Sequence, residues 1–205
     1  VVGGGVINII QNNQDKFTNY EVIIKTVCVK DLNKKREWSV SEDTKLTNNP
    51  YDLIYDDEIE IIVETMGGTT IAKDIVFEAL KNKKNVVTAN KALISKYLGE
   101  INKLLEENDV SFCYEASVCG GIPIIHTLQK DLLVDNISKI SGIINGTTNF
   151  ILSNMAKDNK LNFETILNES QILGYAEQDP SADINGNDIR SKLVILTKLC
   201  FGIEV

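Results

Sequence analysis

The composition of the chain is that of an ordinary globular protein. Of its 205 residues 43% are apolar and 24% are charged, with 13 Gly and 3 Pro, which excludes collagen-like, low-complexity and disordered proteins. The 29 Asp and Glu residues outnumber the 21 Lys and Arg residues and give a net charge of -8. A surface of that sign repels phosphate backbones and anionic lipids, so we expect neither nucleic acid nor a membrane as a partner.

The sequence predicts neither a membrane span nor an export signal. Its apolar runs are about five residues long, whereas a membrane-spanning helix needs about twenty. The N-terminus has no basic region and no initiator Met, so we expect that residues precede Val1 in the natural protein. The cysteines show no C-x-x-C spacing, which predicts free thiols and a cytoplasmic protein. They are Cys28, Cys113, Cys119 and Cys200.

The first half of the chain alternates between helical and strand patterns. An amphipathic helix is predicted from Gly3 to about Lys16, followed by a buried strand from Glu21 to Val29. The apolar face of that helix would carry Val6, Ile9 and Ile10. The stretch 30–57 is polar and predicts only short elements.

Three further strands and two helices follow in alternation. The strands are predicted at 59–64, 85–88 and 110–114, and the helices at 71–80 and 91–107. Helices that alternate with apolar strands are typical of βαβ units. We therefore predict an α/β fold, with a doubly wound parallel sheet of the Rossmann type.

The pattern changes after Gly120 and Gly121. A helix at 123–133, a strand-like stretch at 137–144 and three consecutive helical patterns predict a second, α+β domain. We place the domains at 1–130 and 131–205.

Ligands of such sheets bind beyond the carboxyl ends of the strands, where helix N-termini point. Three segments would meet there, at Gly3–Gly5, Thr65–Thr69 and Thr88–Lys91. The second segment contains Thr65, Met66, Gly67 and Gly68. Its glycines allow a backbone to approach a pyrophosphate, although glycine also simply makes turns.

Lys30 and Asp31 follow the strand that ends at Val29. An acid at this place binds a ribose 2′-hydroxyl and a cation binds a 2′-phosphate, so NAD and NADP are not separated. A charged turn without a ligand is the alternative.

Ionisable groups are densest between Gly174 and Lys192, which include Glu177, Asp179, Asp183 and Asp188. Asp188 and Lys192 are i and i+4 on a predicted helix and can form an ion pair. Such a pair is usually a solvated surface contact, and that interpretation stays open here. A calcium loop is disfavoured because the alternating ligands of an EF-hand are missing.

The segment 174–192 resembles the signature of the homoserine dehydrogenases. Gly174, Tyr175, Asp179, Pro180, Asp183, Gly186, Asp188 and Lys192 stand at the spacing of that family. Segments 64–69, 86–91, 115–123 and 145–149 are also similar to it. Ser170 and Cys119 are mild departures. The family's first strand and the rest of its second domain have no counterpart, so we expect an internal fragment.

The resemblance implies an enzyme that interconverts L-homoserine and L-aspartate 4-semialdehyde with NAD or NADP, toward threonine, methionine and isoleucine. Residues 1–130 would bind NAD(P), and 131–205 would bind substrate and form a homodimer through the strand at 137–144. Lys192 and Lys91 would be the catalytic residues. The substrate-binding residues would be Glu177, Asp188, Asp183, Gly174 and Tyr175. The cofactor-binding residues would be Gly3, Lys30, Asp31, Thr65, Met66, Gly67, Gly68, Lys91 and Gly174.

The resemblance also implies a monovalent cation such as sodium. Its ligands would be Glu115 and the main-chain carbonyls of Val118, Gly120 and Ile122; a capped loop without an ion is the alternative. Two other functions stay open for the whole chain. One is another NAD(P)-dependent dehydrogenase acting on an amino-acid aldehyde or amine, and the other is a nucleotide-binding remnant without activity.

Overall fold

The computed structural model of the protein describes residues 2–157, 162–176 and 178–203. It divides into two compact units, residues 1–114 (the first unit) and residues 115–205 (the second unit). The division lies earlier in the chain than the boundary predicted near residue 130.

The strands of the first unit are all parallel where they pair. Strand β1 (Thr26–Cys28) pairs with β2 (Lys45–Thr47). Strands β3 (Ile61–Glu64), β4 (Asn85–Thr88) and β5 (Phe112–Cys113) form a sheet in that order, with Val63 opposite Val87 and Val87 opposite Cys113. The predicted α/β class with parallel strands is confirmed.

Helices connect these strands as a parallel sheet requires. Helix α2 (Tyr51–Ile54) lies between β2 and β3, α3 (Ile71–Lys81) between β3 and β4, and α4 (Lys91–Asn108) between β4 and β5, while α1 (Val2–Asn12) precedes β1. The amide of Asn90 caps α4 by accepting the Leu93 N–H at 3.1 Å. Asp109 ends it in the left-handed region (φ 53°), which Asp tolerates better than most residues.

The core of the first unit lies between α3, α4 and the β3–β4 ladder. Each buried Ile, Val or Leu side chain there contributes about 1.5–3 kcal/mol relative to exposure. The core residues are Ile54, Ile59, Ile62, Ala72, Ile75, Val76, Ala79, Leu80, Val86, Leu93 and Ile101.

Two predictions for the N-terminal segment were wrong in detail. The buried strand 21–29 is reduced to β1, whose residues are half-buried, because ladder bonds form only where β2 lies alongside; Ile23 is 70% exposed. Helix α1 buries Gly4 and Ile7 instead of the predicted face, and Ile9 is 64% exposed. The reason is that Gly4 packs against Trp38, which turns the Gly4–Ile7 side inward.

The described part of the second unit is helical. Helix α5 (Ile124–His126) continues as a π-helical turn at Thr127–Asp131. Helices α6 (Gly146–Lys157), α7 (Phe163–Ile172), α8 (Ser181–Ile184) and α9 (Asn187–Phe201) follow. Helix α6 packs against α7, and α8 packs against α9.

The prediction of a strand at 137–144 was wrong. These residues form no ladder, because a strand needs a neighbour to bond with and the described residues of the second unit contain none. As for membranes, the helices formed by the described residues lack the combination of length and apolar character that a bilayer crossing requires.

Candidate active site

In the first unit a buried carboxylate shapes the loop after β3. Glu64 is 3% exposed. Its Oε1 accepts the N–H groups of Met66 at 2.7 Å and Gly67 at 3.1 Å, and its Oε2 accepts the Thr88 hydroxyl at 2.6 Å. Both N–H groups are therefore used by Glu64. A cofactor bound at this loop would contact other backbone and side-chain groups of the loop.

Asn90 joins the same loop to the start of α4. Its Nδ2 donates to the Gly68 carbonyl at 2.8 Å, and its own N–H donates to Thr88 Oγ1 at 2.9 Å. The β3 loop and the first turn of α4 are therefore held together, with the predicted catalytic residue Lys91 as the first residue of α4.

The glycines of the loop border open space. Gly67 and Gly68 have φ angles of 76° and 74°, and a Cβ placed on either would have no atom within 4 Å. Gly3 is different, because a Cβ there would lie 2.9 Å from Thr65 Oγ1. The structure thus brings the predicted cofactor residue Gly3 and Thr65 of the β3 loop together, and the glycines of that loop face open space.

Lys30 and Asp31 are exposed just beyond β1, as predicted. The carboxylate of Asp31 accepts the Asn33 N–H at 2.9 Å, and its carbonyl accepts the Arg36 guanidinium. Arg36 also lies 5.4 Å from the centroid of the Trp38 ring. The sequence analysis did not predict that Arg36 and Trp38 lie near the end of β1, because the polar stretch that contains them shows no periodicity.

In the second unit Asp188 and Lys192 form the ion pair that their spacing predicts. The Nζ–Oδ2 distance is 2.7 Å, and the side chains are 6% and 15% exposed. Lys192 Nζ also donates to the Ile144 carbonyl at 2.7 Å. The interpretation as a solvated surface pair was wrong, because α9 turns this face toward the segment before α6.

Asn145 and Thr147 connect the acids of the second unit. Asn145 Nδ2 donates to Asp183 Oδ1 at 2.7 Å and to Asp188 Oδ2 at 2.9 Å. Thr147 Oγ1 lies 2.9 Å from Asp183 Oδ2 and 2.7 Å from the Tyr175 carbonyl. With Lys192 these residues make one polar cluster, here called the Asn145 network (Asn145, Thr147, Asp183, Asp188 and Lys192).

Gly174 and Tyr175 lie at the edge of this network. Gly174 has a φ of 80°, which favours glycine there. The Tyr175 ring is 58% exposed and stacks on Phe150 with the ring centroids 4.9 Å apart. Glu177, the remaining predicted substrate-binding residue, lies outside the described residues.

The carboxylate of Glu115 caps the start of α5. Oε1 accepts the Ile125 N–H at 2.9 Å and Oε2 accepts the His126 N–H at 2.8 Å. The predicted carbonyl ligands Val118, Gly120 and Ile122 follow in a loop that turns at Cys119 and Gly120, with φ angles of 60° and 59°. Carboxylate and carbonyl oxygens are ligand types that a hard cation prefers, while the observed contacts of Glu115 are those of a capped loop.

Several residues of these sites were not assigned a role from the sequence. Each is a buried or half-buried polar residue at or just beyond the end of a predicted strand, within a segment similar to the family. That combination is the signal that would have found them. They are Glu64, Thr88, Asn90, Asn145 and Thr147.

Comparison with known proteins gives the same family for both parts of the chain. Residues 1–115 match the model of the homoserine dehydrogenase NAD binding domain, and residues 123–205 match the homoserine dehydrogenase model. A homoserine dehydrogenase of Bacillus subtilis is 45% identical over 100% of this chain and 47% of its own length. One from Neisseria gonorrhoeae is 40% identical over 98% of this chain and 46% of its own length.

Solved structures agree with the sequence matches. The homoserine dehydrogenase of Thiobacillus denitrificans superimposes with a TM-score of 0.90 at 42% identity, over 98% of this chain and 47% of that one. A hyperthermophilic archaeal homoserine dehydrogenase in complex with NADPH gives a TM-score of 0.69 at 27% identity, over 96% of this chain and 54% of that one. The chain spans about half the length of the curated relatives it matches. On these matches, the chain belongs to the homoserine dehydrogenase family.

Proposed function

We propose that the protein carrying this chain interconverts L-homoserine and L-aspartate 4-semialdehyde with NAD or NADP, on the way to threonine, methionine and isoleucine. The observation that carries the proposal is the buried Asp188–Lys192 pair, joined to Asp183 through Asn145. An ammonium group beside carboxylates supports the proposal, because a small amino-acid substrate carries groups that bind to each of them.

The charge of the Asn145 network suits the substrate. Among the described residues, Lys192 pairs with Asp188, and Asn145 joins that carboxylate to a second one, Asp183. An added ammonium group, such as that of homoserine, balances the remaining negative charge. We assign ammonium binding to Asp183, Asp188 and Glu177, with the backbone of Gly174 and Tyr175 beside them.

Lys192 moves the proton in this proposal. An ammonium group has three N–H donors, and the contacts with Asp188 and the Ile144 carbonyl use two of them. Another N–H can donate to the aldehyde oxygen as it becomes an alcohol. Lys91 is the second candidate for a proton-transfer role, from the first residue of α4.

The cofactor residues in the proposal are Gly3, the β3 loop, Lys91 and Gly174, with Lys30 and Asp31 at the ribose end. The loop residues are Thr65, Met66, Gly67 and Gly68. When bound, NAD(P) supplies or accepts the hydride. Gly67 and Gly68 support this assignment because they border open space.

Three further assignments belong to the same proposal. A monovalent cation such as sodium would bind Glu115 and the carbonyls of Val118, Gly120 and Ile122. The enzyme would be a cytoplasmic homodimer. The oxygen donors of the Glu115 loop support the cation; the dimer and the compartment rest on family resemblance and on the free cysteines.

The test is an assay of the native protein. Homoserine is supplied with NAD or NADP, and the absorbance of the reduced nicotinamide is followed. Formation of reduced nicotinamide that depends on homoserine is the expected result. Turnover of another amino-acid alcohol or amine in place of homoserine would overturn the assignment of homoserine as the substrate. Nucleotide binding without any turnover would indicate a nucleotide-binding remnant without activity.

A further inference from the structure

Asn145 has an unusual place among the acids of the second unit. It is 5% exposed, and the two hydrogens of its amide go to two different carboxylates, Asp183 at 2.7 Å and Asp188 at 2.9 Å. Asp183 and Asp188 belong to different helices, α8 and α9. One side chain therefore fixes the relative placement of two acids from separate elements.

The orientation of the amide follows from its neighbours. Its Oδ1 accepts the Thr148 N–H at 2.8 Å and the Thr148 hydroxyl at 3.0 Å. A reversed amide would set its oxygen against two carboxylates and its NH₂ against a backbone N–H, so the hydrogen-bond partners allow one orientation. Asn145 thus offers donors, and only donors, to the carboxylates.

A neutral bridge has a consequence for charge. Two carboxylates repel each other, and a bridging lysine or arginine would offset that repulsion by adding a positive charge. The amide of Asn145 holds Asp183 and Asp188 together without adding charge. The two contacts of Asn145 therefore leave the net charge of the carboxylates unchanged, which suits the binding of a cation.

We propose that Asn145 is a positioning residue for homoserine: it holds Asp183 and Asp188 in the orientation that receives the ammonium group of the substrate. The inference rests on the proposed function, because it takes homoserine as the ligand. Asn145 acts through the two carboxylates, so its loss weakens binding of the amino acid and leaves binding of the nucleotide unchanged.

The experiment compares Asn145→Ala and Asn145→Ser with the native protein. Calorimetry gives the Kd of homoserine in the absence of cofactor, and steady-state kinetics give KM for homoserine and for NAD(P). Asn145→Ala should raise Kd and KM for homoserine about ten-fold, equivalent to about 1.4 kcal/mol. Asn145→Ser keeps one donor and should lie between this variant and the native protein.

Asn154→Ala is the matched control, since Asn154 lies on α6, the helix that Asn145 precedes, and donates to the Phe150 carbonyl within it. It should leave both constants unchanged. Unchanged homoserine constants in Asn145→Ser and Asn145→Ala would overturn the inference, as would a parallel rise of KM for homoserine and nucleotide. If Asn145→Ala does not fold, Asn145→Ser decides. Native protein that binds homoserine without turnover refutes the proposed function alone, and the Kd comparison still decides the role of Asn145.

Discussion

The two units bury carboxylates in different chemical surroundings. In the first unit Glu64 accepts hydrogen bonds from neutral donors, namely two backbone N–H groups and the Thr88 hydroxyl. In the second unit Asp188 contacts the ammonium group of Lys192 as well as the amide of Asn145. The Glu64 charge thus shapes a backbone, whereas the charges of the Asn145 network contact other charged side chains and are the ones to which we assign chemistry. Changes in the first unit should lower stability and cofactor binding, and changes in the second should lower turnover.

Replacing Lys192 should separate turnover from cofactor binding most clearly. Lys192→Ala removes the proposed proton donor, and we expect kcat for homoserine to fall about 10³-fold while the affinity for NAD(P) is kept. Kinetics and nucleotide titration measure both. Arg190→Ala, an exposed cation on the same helix, is the control and should retain activity. A similar kcat in Lys192→Ala and the native protein would remove Lys192 from the mechanism.

Asp188→Asn tests the charge of the same network with nearly unchanged shape. It leaves the Lys192 ammonium without its carboxylate partner, so kcat/KM for homoserine should fall roughly 10- to 100-fold. Asp179→Asn is the matched control in the neighbouring loop. Hydrogen bonds from the Ser181 hydroxyl and N–H hold the pKa of the exposed Asp179 carboxyl below its usual value. An equal loss of kcat/KM in Asp188→Asn and Asp179→Asn would mean that the buried ion pair does not contribute to catalysis.

Glu64→Gln should act on the first unit instead. The amide has one acceptor oxygen in place of two, so at least one donor now paired with Glu64 loses its partner. We expect the free energy of unfolding to fall by about 2 kcal/mol and nucleotide binding to weaken. Denaturant unfolding and cofactor titration measure these effects. The exposed Glu60→Gln is the control, and a loss of kcat at saturating cofactor would show that Glu64 has a chemical role.

Gly67→Ala should give the smallest effect. Its φ of 76° disfavours a side chain by about 1 kcal/mol, and the added Cβ meets no neighbouring atom. Stability should therefore change little, while the methyl group occupies space assigned to the cofactor and raises KM for NAD(P). The same change at Gly202, a helix-ending glycine with φ of 68°, carries the strain alone and should leave that KM unchanged.

The sequence predicts elements best where local pattern and packing agree. Strand β4 and helix α3 lie where periodicity places them, because their apolar positions face one core. It fails for β1 and for 137–144, where strand formation depends on a neighbour that local pattern does not reveal. For the sites, spacing predicts the Asp188–Lys192 pair but not its burial. The sequence can mark Asn145 as a candidate, but its contacts with Asp183 and Asp188 join residues far apart in the chain, and local pattern does not predict them.

Trp38 gives the first unit a built-in optical probe. The backbone of Gly4 lies so close to the indole that a Cβ there would clash with it, so α1 touches the ring directly, and Trp38 is the single tryptophan of the chain. Indole emission depends on the polarity around the ring, and the start of α1 belongs to the nucleotide site proposed above. The intrinsic fluorescence of this chain therefore reports on the packing of α1 against Trp38, without any label attached.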